Sequence, residues 1–139
     1  MGRVAADLAS ILKPGLEGEA RLLVSEEHTA PRVGSGKVHV LATPVMINLI
    51  EAAALEAVER FLPAGYQSLG TVLNVRHIAA TPVGMRARAR AVLEKVVGRT
   101  LTFRVEAHDE KDLIGDGLHE RVVVNVSKFD ERVQKKLAR

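Results

Sequence analysis

An acid, an imidazole and a hydroxyl can together move an acyl group: an oxygen attacks, the imidazole takes its proton, and the acid orients or activates. This chain offers one of each in places that invite explanation. Glu51 stands inside the apolar arc of the stretch LATPVMINLIEAAALEAVERFL, residues 41–62, between Val58 and Leu62 when residues are set about 100° apart around a helix axis. A carboxylate there is costly unless it is hydrogen-bonded or borders a pocket. His77 alternates with Leu73 and Val75, so a strand would point it inward with them. Thr43 precedes Pro44 where the helix begins. Taken singly, each has a plainer reading: His77 as a core histidine bonded to backbone, Glu51 as a satisfied buried acid, Thr43 as the helix N-cap with Pro44 at the first helical position. Spacing alone does not decide whether the three meet.

Other groups carry weaker signals. Gly70 reads either as a strand irregularity or as a place where a ligand approaches the backbone and meets its N–H. Arg86, Arg88 and Arg90 line one face of a strand-like segment, either as a solvated face partnered by Arg104 and Glu106 or as a site for a phosphate-bearing ligand. His28, His39, His108 and His119 show no metal-ligand spacing and read as surface or structural residues. GSG at 34–36 is too short for a nucleotide-binding glycine motif.

The elements that must position these groups follow from periodicity. Thr43 to Leu62 is predicted to be one long helix, rich in alanine and leucine and stopped by Pro63 and Gly65. Residues 1–15 read as a weak helix or arm, 16–24 as a first strand, 25–37 as a flexible loop and 38–42 as a short extended piece. Four strands are predicted after the helix, at 68–80, 85–95, 99–108 and 113–127, the last interrupted around Gly115 and Gly117. The first should put Leu69, Thr71, Leu73, Val75, His77 and Ala79 on one face. Residues 128–139 form a charged tail of helical pattern. A sheet with one apolar face needs a cover, and only the Thr43–Leu62 helix is long enough to supply it. The small side chains of Ala87, Ala89 and Ala91 would let it approach closely. The expected class is α+β, an antiparallel sheet wrapped around a central helix: the hot-dog arrangement.

Composition bounds the rest. A chain of 139 residues is expected to form a single domain, 1–139, able to bury a core without staples. It has no cysteine, which excludes thiol nucleophiles and thiolate metal sites and fits a cytoplasmic protein. A net charge of +3 suits an anionic partner but does not argue for nucleic acid, and 3% aromatics provide no base-stacking platform. No apolar run reaches the roughly 18–20 residues of a membrane span, and residues 1–15 lack the long apolar core of a signal peptide.

The stretches TPVMINLIEAAA, SLGTVLNVRHIAATPVG and AHDEKDLIGDGLHER, in this order and spacing, resemble the fluoroacetyl-CoA-thioesterase-like branch of the hot-dog thioesterases over roughly two thirds of the chain. The resemblance implies a homodimer with the thioester site at the subunit interface. It implies a catalytic threonine, glutamate and histidine, falling on Thr43, Glu51 and His77, and substrate-binding roles for Gly70 and Arg121. It implies no metal or prosthetic group, coenzyme A being part of the substrate. The family member selective for the fluorinated substrate has an aromatic lid before the helix; between Ser25 and Ala42 this chain has no Phe, Tyr or Trp. The expectation is therefore a broader acyl-CoA thioesterase, acting on short or medium acyl chains. The same fold also serves non-catalytic acyl-CoA-binding modules and dehydratases of hydroxyacyl thioesters.

Overall fold

The structure, a computed structural model, describes residues 8–138. Five antiparallel strands form one sheet: β1 (Glu17–Leu23), β2 (Tyr66–His77), β3 (Arg86–Val97), β4 (Thr100–Asp109) and β5 (Leu113–Asn125), in the spatial order β1-β3-β4-β5-β2. The central helix, Thr43–Val58, lies against the sheet and tightens into a 3-10 turn, Glu59–Phe61, before Pro63. A shorter helix, Val126–Gln134, follows β5, with Asn125 capping it by accepting the Lys128 backbone N–H. The architecture is the hot-dog fold. No described helix is long and apolar enough to cross a membrane. Residues 1–7 of the predicted arm lie outside the described residues; beyond them Leu8 and Leu12 are fully buried in the core.

The core sits where small residues let helix and sheet close together. Ala87, Ala89 and Ala91 are buried beneath the helix, as their spacing predicts. Gly18, paired with Ala91, adds to this: a Cβ on it would collide with the Ala53 carbonyl and the Ala57 amide. Met46, Ile50, Ala53, Ala54, Ala57 and Val58 of the helix are fully buried, as are Leu93, Leu101 and Phe103 of the sheet. Each large side chain among them contributes about 1.5–3 kcal/mol through burial.

Three expectations need correction. Thr43 does not cap the helix. Ala42 holds the extended N-cap conformation (φ −71°, ψ 140°), so Thr43 is the first helical residue and its hydroxyl is free for another partner. Residues 25–37 are not a featureless loop. They form a 3-10 turn, Glu26–His28, and one helical turn, Ala30–Val33, tied at the first by a reciprocal capping box between Ser25 and His28. β5 is an inner strand flanked by β4 and β2, with Val123 and Val124 buried, and the edges of the sheet are β1 and β2. Finally, the alternation from Leu69 to Ala79 is broken by a β-bulge: Gly70 pairs with Arg121 and Val72 with Glu120, leaving Thr71 as the extra residue. The bulge changes which parity faces the helix. Ser68 and Gly70 face it before the bulge, and Val75 and His77 after it. Leu69 is turned outward and is 38% exposed.

Candidate active site

One ridge of the central helix runs along the inner side of β2. Thr43, Ile47, Glu51, Leu55 and Glu59 recur every four residues and so fall in one row. The row is the least covered part of the predicted apolar arc: Leu55 is 37% exposed and Ile47 only half-buried. Three of its polar members meet β2 in turn. Thr43 reaches His77, Glu51 lies over Gly70, and Glu59 accepts hydrogen bonds from the backbone N–H and the hydroxyl of Ser68.

The structure brings Thr43 and His77 together. Thr43 Oγ1 and His77 Nδ1 are 2.7 Å apart, a short hydrogen bond. Burial is the main influence on the imidazole and holds its pKa below the ordinary value; the nearby Ala79 backbone opposes this more weakly. The ring is therefore neutral at neutral pH and able to act as a base. A base that accepts the hydroxyl proton at Nδ1 carries its own proton on Nε2. That nitrogen is buried and has no aligned hydrogen-bond partner among the described residues. Beside the pair opens a cavity of about 320 Å³, walled by Ala30, Val40, Leu41, Ile78, Ala79 and Ala80, with Ser35 at its rim. The 25–42 segment thus contributes small and aliphatic side chains to it and no ring.

Glu51 stands apart from that pair. It is eight residues along the same helix, about 12 Å of rise, and no hydrogen bond joins it to Thr43 or His77 of its own chain. Its side chain is 34% exposed, and Oε2 lies 3.5 Å from Arg121 Nη1. A Cβ at position 70 would sit 2.5 Å from the same carboxylate oxygen, so any other residue there would push the Glu51 carboxylate aside. Arg121 is nearly fully buried. Its Nε donates to Ser68 Oγ at 2.8 Å, Nη2 to the Ser68 carbonyl at 3.0 Å, and Nη1 to His119 Nε2 at 3.1 Å. Burial lowers its pKa and the Glu51 and Glu59 carboxylates oppose that, but a guanidinium stays charged at any ordinary pH. His119, read from the sequence as surface or structural, is fully buried in this network, stacked on Phe103. Its place on the same strand face as Arg121, two residues away, was the available signal.

The remaining candidates lie elsewhere. Arg86, Arg88 and Arg90 are on the sheet face away from the helix. Arg90 faces Glu106 in register but bonds Glu17, and Arg104 pairs with Glu94. His28 serves the capping box and His39 pairs with Glu26 at 2.6 Å. No group of three or more His, Cys, Asp or Glu among the described residues is placed to hold a metal ion. A wider hollow of about 570 Å³ lies along the C-terminal helix, lined by Ser127, Asp130, Glu131 and Gln134, and brings no imidazole beside a nucleophile.

Comparison with known proteins gives the family and the fold. The sequence profile of the fluoroacetyl-CoA-specific thioesterase family matches residues 24–127. Fluoroacetyl-CoA thioesterase of Streptantibioticus cattleyicolor is 45% identical over 97 residues, 70% of either chain. A crystal form of the fluoroacetyl-CoA thioesterase superposes with a TM-score of 0.84 at 36% identity, covering 89% of this chain and 96% of that one. A thioesterase superfamily member from Thermus thermophilus gives 0.82 at 33% identity, covering 91% and 96%. A hot-dog-like protein from Thermanaerovibrio acidaminovorans, at 22% identity and a TM-score of 0.87 over 96% of this chain and 98% of its own, shares the fold. The chain belongs to the fluoroacetyl-CoA-specific thioesterase family, enzymes of thioester hydrolysis on the hot-dog fold.

Proposed function

We propose that the protein hydrolyses short- or medium-chain acyl-CoA thioesters, at sites shared between two copies of the chain. The observation that carries this is the Thr43–His77 hydrogen bond at an open cavity, with the far nitrogen of the imidazole lacking an aligned partner among the described residues. In the reaction an oxygen nucleophile attacks the thioester carbonyl and its proton passes to His77. The oxyanion of the tetrahedral intermediate is met by the Gly70 N–H, with Arg121 supplying positive charge close by. Collapse breaks the carbon–sulfur bond and releases the thiol of coenzyme A, protonated from His77. Water completes the hydrolysis to the free acid. No metal or prosthetic group takes part.

The second copy answers two problems at once. β2 is a long edge strand carrying Leu69, Val72 and Leu73, each 38–41% exposed, beside exposed Leu55 of the helix. Such an edge invites pairing. A dyad between Leu73 and Asn74 would set antiparallel β2 strands so that His77 lies opposite the partner's Gly70. The partner's Glu51, which lies over that glycine, would then approach the unpartnered Nε2. An acid about 12 Å along the helix from Thr43 becomes the acid of the neighbouring site.

The test is complementation. Thr43→Ala and Glu51→Gln chains each keep only a small residual activity alone. Unfolded and refolded together, they form mixed dimers in which one of two shared sites is intact, giving roughly a quarter of wild-type thiol release. No recovery in dimers shown by mass to be mixed would place both residues in one chain's site. Light scattering showing only a 15.0 kDa species would remove the dimer. Saturable acyl-CoA binding without thiol release would make the protein a binding module. With no ring over the cavity, fluoroacetyl-CoA and acetyl-CoA should have kcat/KM values within about tenfold of one another, the range a single small group commands in an aliphatic pocket.

A further inference from the structure

We propose that His119 is a positioning residue for the hydrolysis, holding Glu51 through Arg121 and holding Gly70 through the β2 bulge. The inference rests on the reading of Glu51 and Gly70 given above. Both nitrogens of the His119 ring are engaged, each toward a different part of the site. Nε2 lies 3.1 Å from Arg121 Nη1, and Nδ1 lies 2.8 Å from the Val72 carbonyl oxygen. A guanidinium only donates, so Nε2 is the acceptor and the ring proton must sit on Nδ1, donating to Val72. The neutral Nδ1–H form therefore satisfies all the contacts, and an imidazolium would set an N–H against the Arg121 N–H groups.

Each bond has a consequence at the site. Arg121 reaches Glu51 with Nη1, the nitrogen that His119 also engages. Without that acceptor, Nη1 is free to turn, and the carboxylate loses a fixed counter-charge. Val72 is the first paired residue after the bulge. Fixing its carbonyl holds the point at which β2 changes parity, and so holds Gly70 and His77 on the same side. The ring also packs against Gly70 directly: His119 Cε1 lies 3.1 Å from where a Cβ at position 70 would stand. The groups facing the ring are Phe103 from β4, Arg121 from its own strand, the Val72 carbonyl from β2 and Glu51 from the central helix.

Two substitutions separate the two bonds. The amide of His119→Asn reproduces the Nδ1 position and keeps a donor for Val72, while losing the acceptor for Arg121. The amide of His119→Gln reproduces the Nε2 position and keeps the acceptor. His119→Asn should lower kcat by about ten- to a hundredfold, the cost of a misplaced catalytic group, with KM nearly unchanged. His119→Gln should restore most of kcat while lowering the thermal midpoint. In a Glu51→Gln background, His119→Asn should have almost no further effect on kcat per folded molecule, since it acts through a carboxylate already removed. Equal losses in Asn and Gln, or a full additional loss in the Glu51→Gln background, would overturn the proposal. So would ¹⁵N-histidine spectra of the unsubstituted enzyme showing His119 as an imidazolium or an Nε2–H tautomer across the active pH range, a measurement that does not require the variants to fold. A Glu51→Gln enzyme of near-normal turnover would overturn the reading of the site and this inference with it; a strongly impaired Glu51→Gln beside an unimpaired His119→Asn would overturn this inference alone.

Discussion

At Glu51 the helix ridge meets β2 through a network in which Arg121, Ser68, His119 and Glu59 leave no buried side-chain polar atom without a partner. At Thr43 the same ridge meets the same strand through one hydrogen bond and a cavity, and one buried nitrogen is left over. The first region has the character of a satisfied core: removing any member strands others in a place water reaches poorly. The second has the character of a reaction site: its polar groups converge on open volume and one of them still lacks a partner. Two polar clusters that look alike as residue lists thus differ in what substitution should cost. One should respond in stability as well as in rate, the other in rate alone.

The sharpest test of that contrast is His77→Ala. Loss of a general base costs about 10²–10⁴-fold in kcat/KM, while the thermal midpoint should barely move because water can enter beside Thr43. A large fall in midpoint with activity per folded molecule unchanged would make the Thr43 end as structural as the other. Glu51→Gln should share the loss of rate, keeping the shape of the side chain and only weakening one ion pair. Arg121→Met should differ from His77→Ala by costing stability as well as rate: it leaves Ser68, Glu51 and His119 without their shared donor and should destabilise by about 3–5 kcal/mol, read by denaturant titration. Turnover per folded molecule that survives Arg121→Met would remove it from the substrate site.

Acid should sharpen the comparison further. Burial lowers the pKa values of both His77 and His119, so the unfolded chain binds these protons first as pH falls. Their contribution to stability is fully present above the ordinary imidazole value of 6.5 and is lost as pH drops from there through the lowered folded values. The acid limb of kcat/KM, set by His77, should likewise fall below 6.5 rather than at it. In His77→Ala part of the stability loss should vanish, leaving the share due to His119; an unchanged acid transition in that variant would contradict the burial of His77. The smallest effect belongs to Glu56→Gln. Glu56 is exposed on the wet side of the helix and pairs with Arg60 at 2.9 Å, so neither kcat/KM nor the midpoint should change beyond the few tenths of a kcal/mol typical of such pairs.

Much of this was readable in the sequence because it rests on short-range periodicity. The long helix, the alanine row beneath it, the four strands that follow and the odd position of Glu51 all come from spacing along one element. What the sequence hid was relational. The bulge at Thr71 has no mark beyond a nearby glycine, so strict alternation turned Leu69 inward with His77, whereas the register turns it out. Thr43 looked like a cap because Pro44 follows it, and only the tertiary partner His77 shows what its hydroxyl does instead. The separation of Thr43 and Glu51 follows from counting two helical turns, yet the two are grouped by the chemistry they could share and by the family resemblance. His119 was passed over because a buried histidine and a surface histidine look the same without a neighbour to define them.

The extra residue in β2 also bears on ancestry. Gly70 and His77 are seven positions apart, an odd count that a regular ladder would place on opposite faces; the bulge absorbs the difference. Removing Thr71 would leave the pairs Gly70–Arg121 and Val72–Glu120 as consecutive rungs, with both site residues still turned toward the helix. A lineage can therefore gain or lose one residue here without changing which groups face the substrate. A one-residue gap at this point would leave the facing groups in place, and residue counts across it would be a poor guide to which positions correspond.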